Sequence, residues 1–144
     1  ILVVITMVSG GFVAGLKAGF AYNTFPLMDG HWIPEVIFMQ EPLWRNFFEN
    51  IATVQFQHRL LALLVSLSVI LLWFAARRIT LPAVVTTGLL LMLAAVVLQV
   101  SLGISTLLLH VPVALAATHQ AGALLLFTIV LYTRYRMTRT TESS

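Results

Sequence analysis

Four long apolar runs, divided by one long polar break and two short ones, set the pattern of this chain. Residues 1–20, 50–74, 82–109 and 113–132 are dominated by aliphatic and aromatic side chains. About 20 such residues, coiled as a helix, cross the hydrocarbon core of a bilayer. The long break, residues 21–49, carries Asp29, Glu35, Glu41 and Glu49, three prolines, Gly30 and His31. Connections of that length are usually functional or partly structured. The other two breaks, around Arg77-Arg78 and His110-Pro112, are short and favour antiparallel neighbours. The pattern predicts an all-α, multi-pass membrane protein: one antiparallel four-helix transmembrane bundle over residues 1–144. Its loop is residues 21–49, and residues 133–144 form a tail expected to fray.

Composition agrees with a membrane setting. The chain has 144 residues, 60% hydrophobic and 9% charged, where a soluble domain carries about 25% charged residues. It has no cysteine, which excludes disulfides, thiolate ligation of haem and iron–sulfur clusters. The net charge of +3 draws on Arg77-Arg78 and on Arg134, Arg136 and Arg139. Basic residues at the edge of an apolar protein mark its cytoplasmic or matrix side, not a nucleic-acid site. Both clusters follow an even number of spans, so they share that side, and the loop 21–49 and the His110 turn face outward. Ile1 lies inside an apolar run with no charged stretch before it. It is expected to be a segment of a longer chain and not a signal peptide.

Details refine the spans. Gly11, Gly15 and Gly19 recur every four residues, with Gly10, Ala14 and Ala18 alongside. Such a stripe admits another backbone, or a flat ligand, at close range. Tyr22, Trp32, Trp44, Phe47 and Phe48 are aromatic anchors suited to the membrane interface. Glu41 to Glu49 reads as a short surface helix.

The candidate chemistry lies in two histidines. A polar side chain within a span needs a reason to be there. His58 is about eight residues into the second run and His119 about six into the fourth, so both sit roughly 10 Å below the outer surface at 1.5 Å per residue. Gly15 and Gly103, on the oppositely directed first and third spans, share that layer. Gly122, Ala123 and Ala116 flank His119, and Ala62 lies a turn below His58. Two imidazoles across such a slot suit the axial positions of a haem iron. Arg59 and Lys17 lie near the outer end, where they could neutralise propionates, and Gln55, a turn above His58, could orient the imidazole or a propionate. Each feature also has a plainer reading. A lone intramembrane histidine can simply bond a neighbouring helix, Arg59 can snorkel outward, and Gln99, Ser101 and Ser105 can bond between helices. Neither a carboxylate nor a thiol shares the depth of the histidines, which disfavours copper or zinc. His31 and His110 read as loop residues.

Specific motifs sharpen this. Ala21-Tyr22-Asn23-Thr24-Phe25-Pro26-Leu27-Met28-Asp29-Gly30, Asn46-Phe47-Phe48-Glu49-Asn50 and Val54-Gln55-Phe56-Gln57-His58-Arg59 resemble the haem A synthase family. So do Gln99-Val100-Ser101-Leu102-Gly103-Ile104-Ser105-Thr106-Leu107-Leu108 and Ala117-Thr118-His119-Gln120, in that order. The pattern is most similar to the alphaproteobacterial and mitochondrial branch. The resemblance implies an eight-helix membrane oxidoreductase of two similar halves, each with a histidine pair. It oxidises a methyl group of haem O to a formyl group, giving haem A for cytochrome c oxidase. The chain resembles the C-terminal half. The family's first half carries a glutamate three residues before its first histidine, and Gln55 stands here instead. The resemblance therefore implies that this half holds haem b through His58 and His119, that haem O binds in the other half, and that this half alone is not competent. No catalytic residue carries over.

The resemblance also implies a bacterial inner-membrane or mitochondrial inner-membrane location. Haem O synthase and the assembly of cytochrome c oxidase are the implied partners, beside membrane lipid and without nucleic acid. The rival expectations are a non-catalytic bis-histidine cytochrome that relays electrons, and a haem-free structural or transport module. A transporter would more often show an intramembrane acid or a broken helix, and no acid lies in the spans.

Overall fold

The computed structural model describes residues 1–141, with side chains to residue 139. Among them the regular structure is entirely helical: α1 (Leu2–Gly15), α2 (Asn46–Glu49), α3 (Ile51–Ala76), α4 (Ala83–Leu108) and α5 (Val113–Thr141). Three of these, α3, α4 and α5, are long and apolar enough to cross a membrane. Their outward surface agrees: Leu60, Leu63, Leu67, Leu71 and Phe74 of α3 are exposed, as are Leu90, Leu91, Val97 and Leu98 of α4. In water such a surface would be a severe liability; against lipid tails it costs nothing.

The first run departs from expectation. Its helix has 14 residues, about 21 Å of rise, less than the roughly 30 Å hydrocarbon core. The chain turns after Gly15, passes through Lys17 in the left-handed region (φ 54) and makes a 3-10 turn over Ala18–Phe20. The last run departs the other way. Instead of fraying from residue 133, α5 continues to Thr141, because neither glycine nor proline follows Gly122 to stop it. Residues 142–144 of the expected tail lie outside the described residues.

The helices close a ring: α1 packs on α3, α3 on α4, α4 on α5, and α5 touches α1. A buried cluster of Val65 and Val69 from α3, Val85, Leu89, Met92 and Val96 from α4, and Leu126 from α5 fills the half of the bundle away from the long loop. There, α4 and α5 approach closely, and a side chain at Gly88 would strike Thr133, itself 2% exposed.

The long loop is held by polar side chains, as a connection bearing many backbone donors and acceptors must be. Asn46 is fully buried; its amide donates to the carbonyls of Gln40 (2.7 Å) and Leu43 (2.9 Å), and its oxygen accepts from Gln40 N (2.9 Å). Asn50 caps α3 by accepting from Thr53 N at 3.1 Å and reaches back to the Val36 carbonyl at 2.9 Å. Asn23 ties the loop to the outer end of α4 through the Leu107 carbonyl at 3.0 Å. Beside it, His110 (φ 60) and Val111 (φ 58) make the α4–α5 turn, and Val111 rests on Gly19. A left-handed valine is unfavourable by about 1–2 kcal/mol, and the glycine leaves room for its side chain.

Candidate functional site

The site lies at the loop end of the ring, one and a half to two turns inside it. His58 is the eighth residue of α3 and His119 the seventh of α5. Each imidazole leans on a glycine of a neighbouring helix. A Cβ built on Gly10 of α1 would stand 3.1 Å from His58 Cε1, and one on Gly103 of α4 would stand 3.0 Å from His119 Cε1. Any larger residue would crowd the ring. The two histidines thus lie at nearly the same depth, one on α3 and the other on α5.

The partners of the two rings differ. His58 Nδ1 lies 2.8 Å from Ser9 Oγ of α1. His119 Nδ1 is buried without a well-formed hydrogen bond, facing the backbone of Gln99. Gln99 Nε2 is likewise buried and unpartnered. Ser9 was not legible as a site residue, because one serine in an apolar run usually bonds its own helix; only its one-residue offset from Gly10 hinted at it.

Other expected site residues occupy different places. Gly15 has no atom within 4 Å of its Cβ position and is not in the histidine layer; the break of α1 just after it puts Ser9 and Gly10 there instead. Gly122 does not open a slot beside His119, since the Gln99 amide fills the space over it. Gln55 does not reach His58. Its amide nitrogen donates to the carbonyls of Ala18 (3.0 Å) and Tyr22 (3.2 Å), in the turn that follows the break of α1. Arg59 does not snorkel into water. Its terminal nitrogens donate to the carbonyls of Leu27 (3.2 Å) and Tyr22 (3.1 Å) and to Gln55 Oε1 (3.3 Å), pinning the loop onto α3. Lys17 is exposed at the left-handed turn after α1. Both cations thus stay at the outer edge of the site. In the loop itself Arg45 and Glu49 pair at 2.5 Å; the guanidinium bond holds the Glu49 carboxyl below its ordinary range, and the carboxylate raises Arg45.

Among the described residues no three or more histidine, cysteine or acidic side chains gather as a metal would need. Two imidazoles alone can complete an iron only if a macrocycle supplies its other donors. The residues fit such a group: the two rings are backed by glycines, where a Cβ would crowd them.

The sequence itself shows which proteins this one is related to. Residues 1–131 match the family model COX15-CtaA, described as cytochrome oxidase assembly protein. The chain belongs to this family, which includes the haem A synthases. A haem A synthase of Nitrosospira multiformis is 54% identical over 138 residues, 96% of this chain and 39% of its own length. Haem A synthase COX15 of Bos taurus is 50% identical over 131 residues, 91% of this chain and 32% of its own. That of Arabidopsis thaliana is 46% identical over 143 residues, covering 99% and 31%. The chain therefore spans between three and four tenths of the length of these family members. No solved structure matches the chain.

Proposed function

We propose that this chain is the haem b-holding, C-terminal half of a haem A synthase, the membrane oxidoreductase that converts a methyl group of haem O to the formyl group of haem A. His58 and His119 would be the axial ligands. The observation that carries this reading is the pair of imidazoles from different helices, each backed by a glycine, in a chain about half identical to haem A synthases. A haem held by His58 and His119 would supply a one-electron carrier for the redox chemistry at haem O.

The residues around the histidine pair position and shield it. Gln55 has no proton to transfer, and its amide is taken up by two backbone carbonyls and Arg59. Gly10 and Gly103 set the separation of the rings from the helices behind them. Arg59 closes the loop over the outer end, which limits water, while keeping one positive charge where propionates would emerge. Haem O would bind in the rest of the full-length protein, in a bacterial inner or mitochondrial inner membrane. Its supply by a haem O synthase and delivery of haem A to cytochrome c oxidase assembly follow from that reaction.

The test is haem A formation by the full-length protein in membranes given haem O, with extracted haems separated by chromatography. His58→Ala and His119→Ala should each abolish haem A and lower haem b content. Haem A made at the wild-type level by both variants would refute the assignment. Haem b retained without haem A production, even in the full-length wild type, would mark an electron-relaying cytochrome instead.

A further inference from the structure

We propose that Ser9 is a positioning residue that fixes His58 as its Nδ1–H tautomer, so that His58 presents the lone pair of Nε2, and that His119 has no side-chain anchor of this kind. This rests on the haem-holding reading above and adds a residue to it.

A serine hydroxyl has one proton and two lone pairs. The Ser9 proton has a destination: Ser9 Oγ donates to the carbonyl of Thr6 at 3.0 Å, one turn back along α1. At its other contact, 2.8 Å from His58 Nδ1, Ser9 Oγ is therefore the acceptor and the ring nitrogen the donor. The Thr6 carbonyl also faces this ring, as the Gln99 carbonyl faces His119, and a carbonyl only accepts, so the Ser9 hydroxyl is what sets the two rings apart. With Ser9 only 6% exposed, water does not compete for the bond. A neutral imidazole protonated at Nδ1 is unprotonated at Nε2. Gly10, the next residue, holds the ring from behind. One short segment of α1 thus sets both the tautomer and the tilt of His58. An Nδ1–H bonded to an acceptor also makes the opposite nitrogen a more basic ligand. His119 Nδ1 faces only the Gln99 backbone and makes no well-formed bond, so it has no side chain to fix its ring.

The experiment compares the full-length wild type with Ser9→Ala and Ser9→Thr, measuring haem b affinity, midpoint potential and the low-temperature electron paramagnetic resonance of the oxidised haem. Alanine favours helix, so the bundle should remain folded. Ser9→Ala should weaken haem retention roughly tenfold, raise the potential and shift the resonance, because a less basic imidazole stabilises the oxidised iron less. Ser9→Thr, which keeps the hydroxyl, should lie near wild type. Wild-type affinity, potential and resonance in Ser9→Ala would overturn the proposal and leave the haem reading intact. Equal defects in Ser9→Ala and Ser9→Thr would also overturn it, since the hydroxyl would not be the cause. A full-length wild type without haem b would instead overturn the haem reading, and this proposal with it.

Discussion

The two histidine half-sites use the same device and finish it differently. Both set an imidazole against a glycine on the next helix, at nearly equal distance. On the α1–α3 side the ring is also tied to Ser9; on the α4–α5 side the ring nitrogen is buried without a well-formed bond, beside an equally unpartnered Gln99 amide. An anchored ring cannot yield to a new neighbour, whereas an unanchored one can swing. Shape alone therefore does not determine how a ligand responds to change; the second nitrogen does. The same contrast orders the two helix pairs, since α1 is short and broken while α4 and α5 run unbroken at full length.

The sharpest way to break this comparison is a methyl group on each glycine. Gly103→Ala should displace the His119 ring and lower haem retention about tenfold with little change in fold stability. Gly10→Ala presses on a ring held by Ser9, so the overlap should appear as lost stability, about 1–3 kcal/mol as for other overpacked sites, with the ligand kept. Haem titration and thermal unfolding of the full-length protein read the two effects separately, and identical profiles for both variants would contradict the asymmetry. Gly15→Ala, with open space around it, should change neither by more than about 0.5 kcal/mol.

A smaller effect is expected at the rim. Arg59→Ala removes the charged bonds to the Tyr22 and Leu27 carbonyls, which should loosen the loop by about 2 kcal/mol and lower the haem potential or retention by deleting a positive charge. Hydrogen exchange over residues 21–29 would report the loosening; unchanged exchange would show that the loop is held elsewhere. The smallest effect is electrostatic. Because Arg45 depresses the Glu49 carboxyl below 4.5, its pairing stabilises α2 fully above pH 4.5 and is lost as pH falls through the lower folded value. The pair is exposed, so a Glu49 resonance titrating below the ordinary carboxyl range in wild type, and moving back towards it in Arg45→Gln, is the practical measure.

Much of this was legible in the sequence, for physical reasons. Apolar length marked α3, α4 and α5, and equal depth marked His58 and His119, because helix rise is uniform and bilayer thickness bounds it. The break of α1 was not legible. Glycines every four residues read as a continuous packing stripe, and only the left-handed conformation of Lys17 shows that the helix ends there. That break shifted the glycine layer from Gly15 to Gly10. The turn that follows the break carries carbonyls that Gln55 and Arg59 bond, contacts with the backbone that the sequence pattern does not reveal. Ser9 was hidden because its partner lies 49 residues away in sequence.

The most direct test of the central claim, that His58 and His119 share one iron, is the reduced-minus-oxidised visible spectrum of the full-length protein carrying His58→Met or His119→Met. The account predicts that each exchange alters or abolishes the b-type signal, with His119→Met the more easily reversed by added imidazole. An unchanged b-type spectrum in either variant would contradict it.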